Sequence, residues 1–99
     1  MELTTEKNGS EMIVRLSGEL NAITAPELSD LLDSELTDDI KNLTFDYAEC
    51  DYVSSAGLRV LLATFKKMKA AGGSMRLANV GENFMDVLEN TGLDAVFDM

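Results

Sequence analysis

Two adjacent serines, Ser54 and Ser55, stand at the predicted start of a helix and are the clearest candidates for chemistry in the chain. They belong to residues 51–62, DYVSSAGLRVLL, in which a loop after a strand leads into an amphipathic helix. In an α/β sheet, ligand sites gather beyond the carboxyl ends of the parallel strands. A helix start offers free N–H groups and a positive dipole, which favour an anion. A serine there can be a purely structural N-cap, but two serines exceed what a cap needs.

The residue types that most catalytic and metal sites use are scarce. The chain has no histidine, which removes the commonest general base and the commonest metal ligand. Its one cysteine, Cys50, has no His partner for nucleophilic catalysis and no second cysteine for a zinc site. The GxxxxGK[ST] phosphate loop and the GxGxxG turn are both missing. We therefore expect a protein that is not an enzyme and has no metal and no cofactor.

The charge is strongly acidic, with 18 Asp and Glu against 8 Lys and Arg and a net charge of −10. A nucleic-acid backbone or an anionic membrane needs the opposite sign, so neither is an expected partner. The acidity favours solubility, or it steers the chain toward a basic partner surface. Residues 16–40 hold seven acids and no base, whereas residues 59–69 hold four of the eight bases. Either the two stretches lie near each other or they face different partners, and the sequence leaves both alternatives open.

The length and the composition set the outer bounds. A chain of 99 residues is long enough for one core and too short for two, so residues 1–99 are expected to form one domain. There is no apolar run near 18 residues and no basic, apolar leader, so neither a membrane span nor a secretory signal is expected. A single cysteine suits a reducing compartment, and the expected location is cytoplasmic.

The first third of the chain predicts a β-hairpin and a helix. Strands are expected within residues 2–17, joined by a tight turn at Asn8-Gly9, because both residues tolerate positive φ. Thr24 is the expected N-cap of the first helix, and Glu27 would complete a capping box. Apolar residues at helical spacing follow: Leu28, Leu31, Leu32 and Leu36.

The rest of the chain predicts two further strands and two helices. A third strand is expected at residues 43–47, followed by a loop at 48–53 and a helix that ends before Gly72-Gly73. A fourth strand is expected at residues 75–80 and a third helix at residues 82–90. The apolar stripe of the middle helix is formed by Leu58, Leu61, Leu62, Phe65 and Met68.

The order of these elements predicts the fold class. Strand–helix–strand–helix–strand from residue 11 to 80 implies right-handed parallel crossovers, and the first strand adds an antiparallel edge. We therefore expect an α/β protein with a mixed sheet of four to five strands and three or four helices.

Residues 53–58, Val-Ser-Ser-Ala-Gly-Leu, resemble the signature of STAS domains, specifically of the bacterial anti-anti-sigma factors. In order, that signature consists of an apolar residue, Asp, a phosphoacceptor Ser, then Ser or Thr, then Gly and Leu. Aligned on Gly57-Leu58, the phosphoacceptor falls on Ser55. Ser54 stands where the family usually has Asp, and Ala56 stands where it has Ser or Thr.

Other segments agree with the family in order and spacing. Residues 18–21, Gly-Glu-Leu-Asn, resemble its Gly-x-Leu-Asp, with Asn21 in place of Asp. Asp46 resembles the acidic residue that often ends the third strand, and residues 79–80 and 91–93 match the closing segments. The resemblance thus extends over nearly the whole chain and implies a STAS fold. The loss of Asp at positions 21 and 54 removes two charges beside the acceptor and bears on which kinase acts.

The resemblance implies a mechanism of partner switching. The unphosphorylated protein would bind an anti-sigma factor, typically also a serine kinase, and thereby free the sigma factor. Phosphorylation of Ser55 would end the binding, and a metal-dependent phosphatase of the PPM type would restore it. The residues expected to contact the partner are Asn21, Asp46, Ser54, Ser55, Ala56, Gly57, Leu58 and Arg59.

Two alternatives keep the same family. In one, the domain binds a nucleotide or another small anion at the same helix start. In the other, partner switching has an output other than transcription. A phosphorelay receiver fits less well, because it needs clustered acids after the first strand and a downstream lysine.

Overall fold

A hairpin of two strands is followed by alternating helices and strands in a computed structural model that describes residues 1–97. A short 3₁₀ turn, Leu93–Ala95, follows the last helix. The elements are β1 (Glu2–Asn8), β2 (Glu11–Leu20), α1 (Ala25–Glu35), β3 (Asn42–Val53), α2 (Ser55–Ala70), β4 (Ser74–Ala78) and α3 (Glu82–Thr91).

The four strands form one mixed sheet in the order β1-β2-β3-β4. β1 pairs with β2 in the antiparallel sense, whereas β2 with β3 and β3 with β4 are parallel pairs. Because right-handed crossovers join the neighbouring parallel strands, α1 and α2 lie on the same face of the sheet. The predicted α/β class, with a parallel core and an antiparallel edge, is confirmed.

The core lies between this face of the sheet and the helices. Alternate residues of the parallel strands, such as Val14, Phe45 and Leu77, are buried there. α3 packs on the same layer, because the Phe84 ring meets Tyr47 edge-on with 4.8 Å between the ring centroids. Burial raises the pKa of the Tyr47 hydroxyl well above its usual value.

The predicted apolar stripe of α2 is confirmed as part of the core. Leu58, Leu61 and Met68 are buried, and Leu62 and Phe65 are half-buried against the same cluster.

None of the helices that the structure describes is long and apolar enough to cross a membrane.

The predicted end of the third strand is wrong, because β3 continues through the expected loop at residues 48–53 as far as Val53. Its parallel pairing with β2 shifts register twice opposite residues 15–19. The buried residues Tyr47, Cys50 and Val53 are therefore three apart and not two. This irregularity removes the strict alternation by which a strand is recognised in a sequence.

The hairpin turn lies one residue later than predicted. Pairing continues through Asn8 and Glu11, so Gly9 and Ser10 are the two turn residues. Gly9 adopts the left-handed conformation with φ of 62°, which explains why glycine is suited to this position.

Candidate functional site

The two serines at the start of α2 have different roles. Ser54 is the N-cap, with an extended backbone (ψ 173°), and its Oγ accepts a hydrogen bond from the N–H of Gly57 at 3.4 Å. Its side chain is half-buried, whereas Ser55, the first helical residue, is exposed. The fold therefore uses Ser54 as the cap, and Ser55 presents its hydroxyl to solvent.

A close approach of α2 to the sheet fixes the position of Ser55. A Cβ atom added at Gly57 would lie 2.7 Å from Cγ of Leu20 and 3.1 Å from Cγ1 of Val53. Only glycine allows the first turn of the helix to approach the ends of β2 and β3 in this way. Leu58 is buried directly after it. Gly57 and Leu58 thus hold the helix start in place and do not line the surface.

The loop before α1 does not form the predicted capping box between Thr24 and Glu27. The Thr24 side chain makes no cap hydrogen bond to the helix. Its hydroxyl donates to the carbonyl oxygen of Glu19 at 2.6 Å and accepts from the N–H of Asn21 at 2.8 Å. Asn21 Oδ1 in turn accepts from the N–H groups of Ile23 and Thr24 at 2.9 and 3.1 Å. Local side-chain bonds of this kind compete with a cap.

Asn21 and the two serines lie at the same edge of the sheet. The N–H of Ser54 donates to the carbonyl oxygen of Leu20 at 2.8 Å, and Asn21 is the next residue after Leu20. The amide oxygen of Asn21 accepts the two N–H bonds that a carboxylate would accept in its place. Asparagine therefore supports the turn without a negative charge beside Ser55.

Asp46 lies further back along β3, away from the start of α2. It pairs with Arg15, whereas Val53 pairs with Leu20, five residues further along β2. At about 3.3 Å per residue, this places Asp46 roughly 16 Å from the end of β3. Its Oδ2 lies 3.7 Å from Nε of Arg15.

The carboxylate of Asp46 joins β3 to the end of β4. Its Oδ1 accepts from Nδ2 of Asn79 at 2.9 Å and from the N–H of Ala48 at 3.0 Å. The pKa of Asp46 is lowered from its ordinary value. The hydrogen bond from Asn79 contributes most, the bond from Ala48 contributes less, and the charge of Arg15 adds a smaller contribution. Asn79 has a left-handed backbone with φ of 57°, and β4 ends before it at Ala78, earlier than the predicted residue 80.

Arg59 and Ala56 line adjoining cavities between α1 and α2. One cavity, of about 300 Å³, lies between Arg59 and Lys67 on α2 and Asp33 on α1. The other, of about 350 Å³, reaches Ala56 in the first turn of α2. Arg59 is exposed, as predicted from the helical spacing.

Two exposed apolar side chains beside the serines were missed by the sequence reasoning. Ile23 is 83% exposed and Tyr52 is 52% exposed. Ile23 follows the turn at Asn21, and Tyr52 pairs with Glu19 near the end of β3. The available signal for Ile23 was that it is apolar and lies outside the leucine stripe of α1. Tyr52 was missed because residues 48–53 were predicted to form a loop, whereas they belong to β3.

The start of α3 lies at the same edge but has a different environment. Its N-cap, Gly81, makes no side-chain cap bond, and Glu82 stands in its first turn. The carboxylate of Asp51 lies against Gly81, since a Cβ added there would overlap its Oδ1. Asp51 Oδ2 also accepts from Nδ2 of Asn83 at 2.7 Å. Two carboxylates therefore already balance the positive end of this helix.

The acids of this part of the molecule do not form a metal site. Among residues 1–97, no three His, Cys, Asp or Glu side chains are grouped so as to hold a metal ion. The site offers an exposed hydroxyl at the positive end of a helix whose first turn has no acidic residue. This arrangement favours an anionic group at the start of α2.

The fold and this edge define a small α/β domain that presents a serine at a helix start, and comparison with known proteins identifies its family. The sequence model of the STAS domain matches residues 2–99. The anti-sigma-B factor antagonist of Bacillus subtilis strain 168 is 29% identical over 99 residues, which cover 100% of this chain and 90% of that protein. The chain therefore belongs to the STAS domain family, as its resemblance at residues 53–58 predicted.

Solved structures give the same result for the fold. An anti-sigma factor antagonist from Mycobacterium paratuberculosis is 27% identical, with a TM-score of 0.81 over 97% of this chain and 81% of that chain. The anti-sigma factor antagonist SpoIIAA in its unphosphorylated form has a TM-score of 0.85 at 17% identity, over 99% of this chain and 86% of its own. These likenesses confirm the predicted STAS fold.

Proposed function

We propose that this chain is an anti-sigma factor antagonist that works by partner switching. In its unphosphorylated form it binds an anti-sigma factor that is also a serine kinase, and the sigma factor is released. The kinase phosphorylates Ser55, and the complex separates. A phosphatase of the PPM type removes the phosphate and restores binding. The cycle needs ATP, which agrees with the cytoplasmic location expected for this chain.

The observation that carries the proposal is the division of roles between the two serines. Ser54 accepts a bond from Gly57 as the helix cap, whereas Ser55 is exposed beside it. The relative from Bacillus subtilis is named an anti-sigma-B factor antagonist. The serine that aligns with the family phosphoacceptor is thus the one that a kinase can reach.

The proposed phosphorylation is a simple transfer of a phosphoryl group. The Oγ of Ser55 attacks the γ-phosphorus of ATP, the bond to the β-phosphate oxygen breaks, and ADP leaves as the hydroxyl proton is lost. ATP and Mg²⁺ are bound by the kinase, and this chain supplies only the acceptor. The product carries about −1.5 to −2 additional charge at Ser55.

This charge affects the fold and the complex differently. At a helix start an anion is favourable by roughly 0.3–1 kcal/mol, so the domain should remain folded. In a desolvated interface an added charge without a partner group is costly. One phosphate can therefore leave the domain intact and still separate the complex.

The proposed interface surrounds Ser55. Ala56, Arg59, Asn21 and the half-buried Ser54 lie on or near this surface, and the exposed Ile23 and Tyr52 add apolar area. Interfaces are commonly built from an apolar centre with aromatic residues and a polar rim.

Gly57 and Leu58 contribute by holding α2, since both are buried. Asp46, about 16 Å along the sheet, would contact the partner only at the rim.

The test is phosphorylation by candidate serine kinases with ATP, followed by intact-mass measurement and mapping of the site. We expect one phosphate on Ser55, no phosphate on Ser55→Ala, and a phosphate that still maps to Ser55 in the matched variant Ser54→Ala. Phosphate on Ser54, or undiminished phosphorylation of Ser55→Ala, would contradict the proposal. Incubation with ATP alone, without kinase, separates the alternative of direct nucleotide binding, which would appear as binding by the isolated chain.

A further inference from the structure

Arg59 stands one helical turn after Ser55, on the same face of α2. Residues four apart on a helix are surface neighbours, with about 5–6 Å between their Cβ atoms. Side chains on a helix tilt toward its N-terminus, so a long side chain at position 59 can extend toward position 55. Both residues are exposed. A group attached to the Ser55 hydroxyl therefore enters the reach of Arg59.

Arg59 has no competing ion pair in the part of the chain that the structure describes. The salt bridges found there join Lys7 to Glu35 and Arg15 to Glu6 and Asp46. Asp33 of α1 lines the same cavity as Arg59 without pairing with it. The guanidinium is therefore available to a new anion.

The other bases of α2 are too distant to take the same role. Lys66, Lys67 and Lys69 begin eleven residues after Ser55, which at 1.5 Å per residue is about 16 Å along the helix axis. The first turn of α2 has no acidic residue that would repel a phosphate. The closest carboxylate in sequence, Asp51, accepts a hydrogen bond from Asn83 at the start of α3.

We propose that Arg59 is the internal partner of the phosphate on Ser55, an inference that rests on the proposed function. Its planar guanidinium matches two phosphate oxygens, which a lysine cannot match in the same way. Phosphorylation then has two effects on the partner-facing surface. It adds negative charge, and it withdraws the exposed cation of Arg59 into an ion pair. A partner that binds the unphosphorylated form through an acidic group near Arg59 loses that contact as well.

The test uses the full chain with phosphoserine placed at position 55 during translation, so that no kinase is needed. The second ionisation of the phosphate is followed by ³¹P NMR in the parent, Arg59→Gln, Arg59→Lys and the matched variant Arg76→Gln. Arg76 is an exposed arginine on β4. We expect the second phosphate pKa to rise by roughly 0.5 unit in Arg59→Gln, less in Arg59→Lys, and not at all in Arg76→Gln.

Equal pKa values in the parent and Arg59→Gln would overturn the inference, as would equal shifts in Arg59→Gln and Arg76→Gln. Amide spectra of the unphosphorylated variants check that each is folded. The outcome is independent of the kinase experiment. If mapping places phosphate on Ser55 but Arg59→Gln leaves its pKa unchanged, only the inference fails. If no kinase modifies Ser55, the proposed function fails while the titration still decides the ion pair.

Discussion

The starts of α2 and α3 lie at the same edge of the sheet, yet their charges are balanced differently. α2 begins with its own cap, Ser54, and has no acid in its first turn. α3 begins at Gly81, whose side chain offers no cap, and it has Glu82 in its first turn. The Asp51 carboxylate, supplied by β3, lies against Gly81 and binds Asn83.

This difference leaves the start of α2 more favourable to a new anion than the start of α3. Asp51 is only four residues before Ser55, yet its carboxylate is directed to α3. The positive end of α2 is left without a carboxylate of its own, whereas that of α3 is already balanced. A phosphate therefore gains more at α2, and Ser55 is the exposed hydroxyl placed there.

The largest expected effect is on affinity for the kinase partner. Ser55→Glu should weaken binding by about a thousandfold, equivalent to roughly 4 kcal/mol, because it places a charge inside the interface. Ser55→Ala should bind like the parent. Glu82→Gln, which changes one charge at the start of α3, should alter affinity by less than about twofold. Calorimetric titration measures all three, and equal affinities of the Ala and Glu forms would refute switching at Ser55.

The comparison depends on firm packing of α2 against the core. Leu61 of α2 is fully buried, so Leu61→Ala should cost roughly 2–5 kcal/mol of unfolding free energy through the cavity it leaves. Leu62→Ala is the matched control and should cost less, since Leu62 is only half-buried. Denaturant unfolding gives both values. A loss below ~0.5 kcal/mol for Leu61→Ala would mean that this face of α2 is not in the core.

The two glycines at these helix starts should respond differently to alanine. Gly57→Ala meets the buried side chains of Leu20 and Val53 and should cost about 1–3 kcal/mol. Gly81→Ala meets the end of the exposed Asp51 side chain, which can turn away at the cost of one hydrogen bond, or about 1 kcal/mol. Thermal melts of both variants test this order. Adding Asp51→Ala to Gly81→Ala should cost nothing further, whereas additive losses would show that the contact is not shared.

Substitutions at the cap of α2 should change stability by smaller amounts, in opposite directions for Ala and Asp. Ser54→Ala should lose about 1 kcal/mol, because the N–H of Gly57 loses its acceptor. Ser54→Asp should keep the cap and gain roughly 0.3–1 kcal/mol from the unbalanced dipole. Chemical denaturation at low salt resolves the two, and raised salt should reduce the gain of the Asp form. A destabilising Ser54→Asp would show that the helix start already has its compensating charge.

The smallest effect concerns Asp46, whose carboxylate serves the end of β4 and neither helix start. Its pKa lies below the ordinary value of 3.8, first because of the bond from Asn79. Such a depressed pKa stabilises the fold above the unfolded value, and this contribution is lost as the pH falls through the folded pKa. The stability difference between the parent and Asn79→Ala should therefore be present at neutral pH and shrink below about pH 4. Carboxyl NMR titration should show the Asp46 pKa rising in Asn79→Ala, and an unchanged pKa would contradict the assignment.

The local patterns of the sequence determined most of the fold, and the resemblance of residues 53–58 to the STAS signature predicted Ser55 as the acceptor. The leucine stripe of α2 and the serine pair at a helix start depend on neighbours within a few residues, and the parallel crossovers follow from the order of the elements. Gly57 in the motif also has a local signal, although its reason, the approach of Leu20, is visible only in the structure.

Only the tertiary structure decided which side chains bind one another across the edge. Asp46 accepts a hydrogen bond from Asn79, 33 residues away, and Asp51 accepts one from Asn83, 32 residues away. The register between β2 and β3 shifts twice, β3 extends to Val53, and Tyr52 is exposed near its end. Asn21 accepts the N–H of Thr24, and the predicted capping box does not form. These contacts depend on how strands are aligned and how side chains compete for the same N–H groups, and no local pattern of residue types encodes either property.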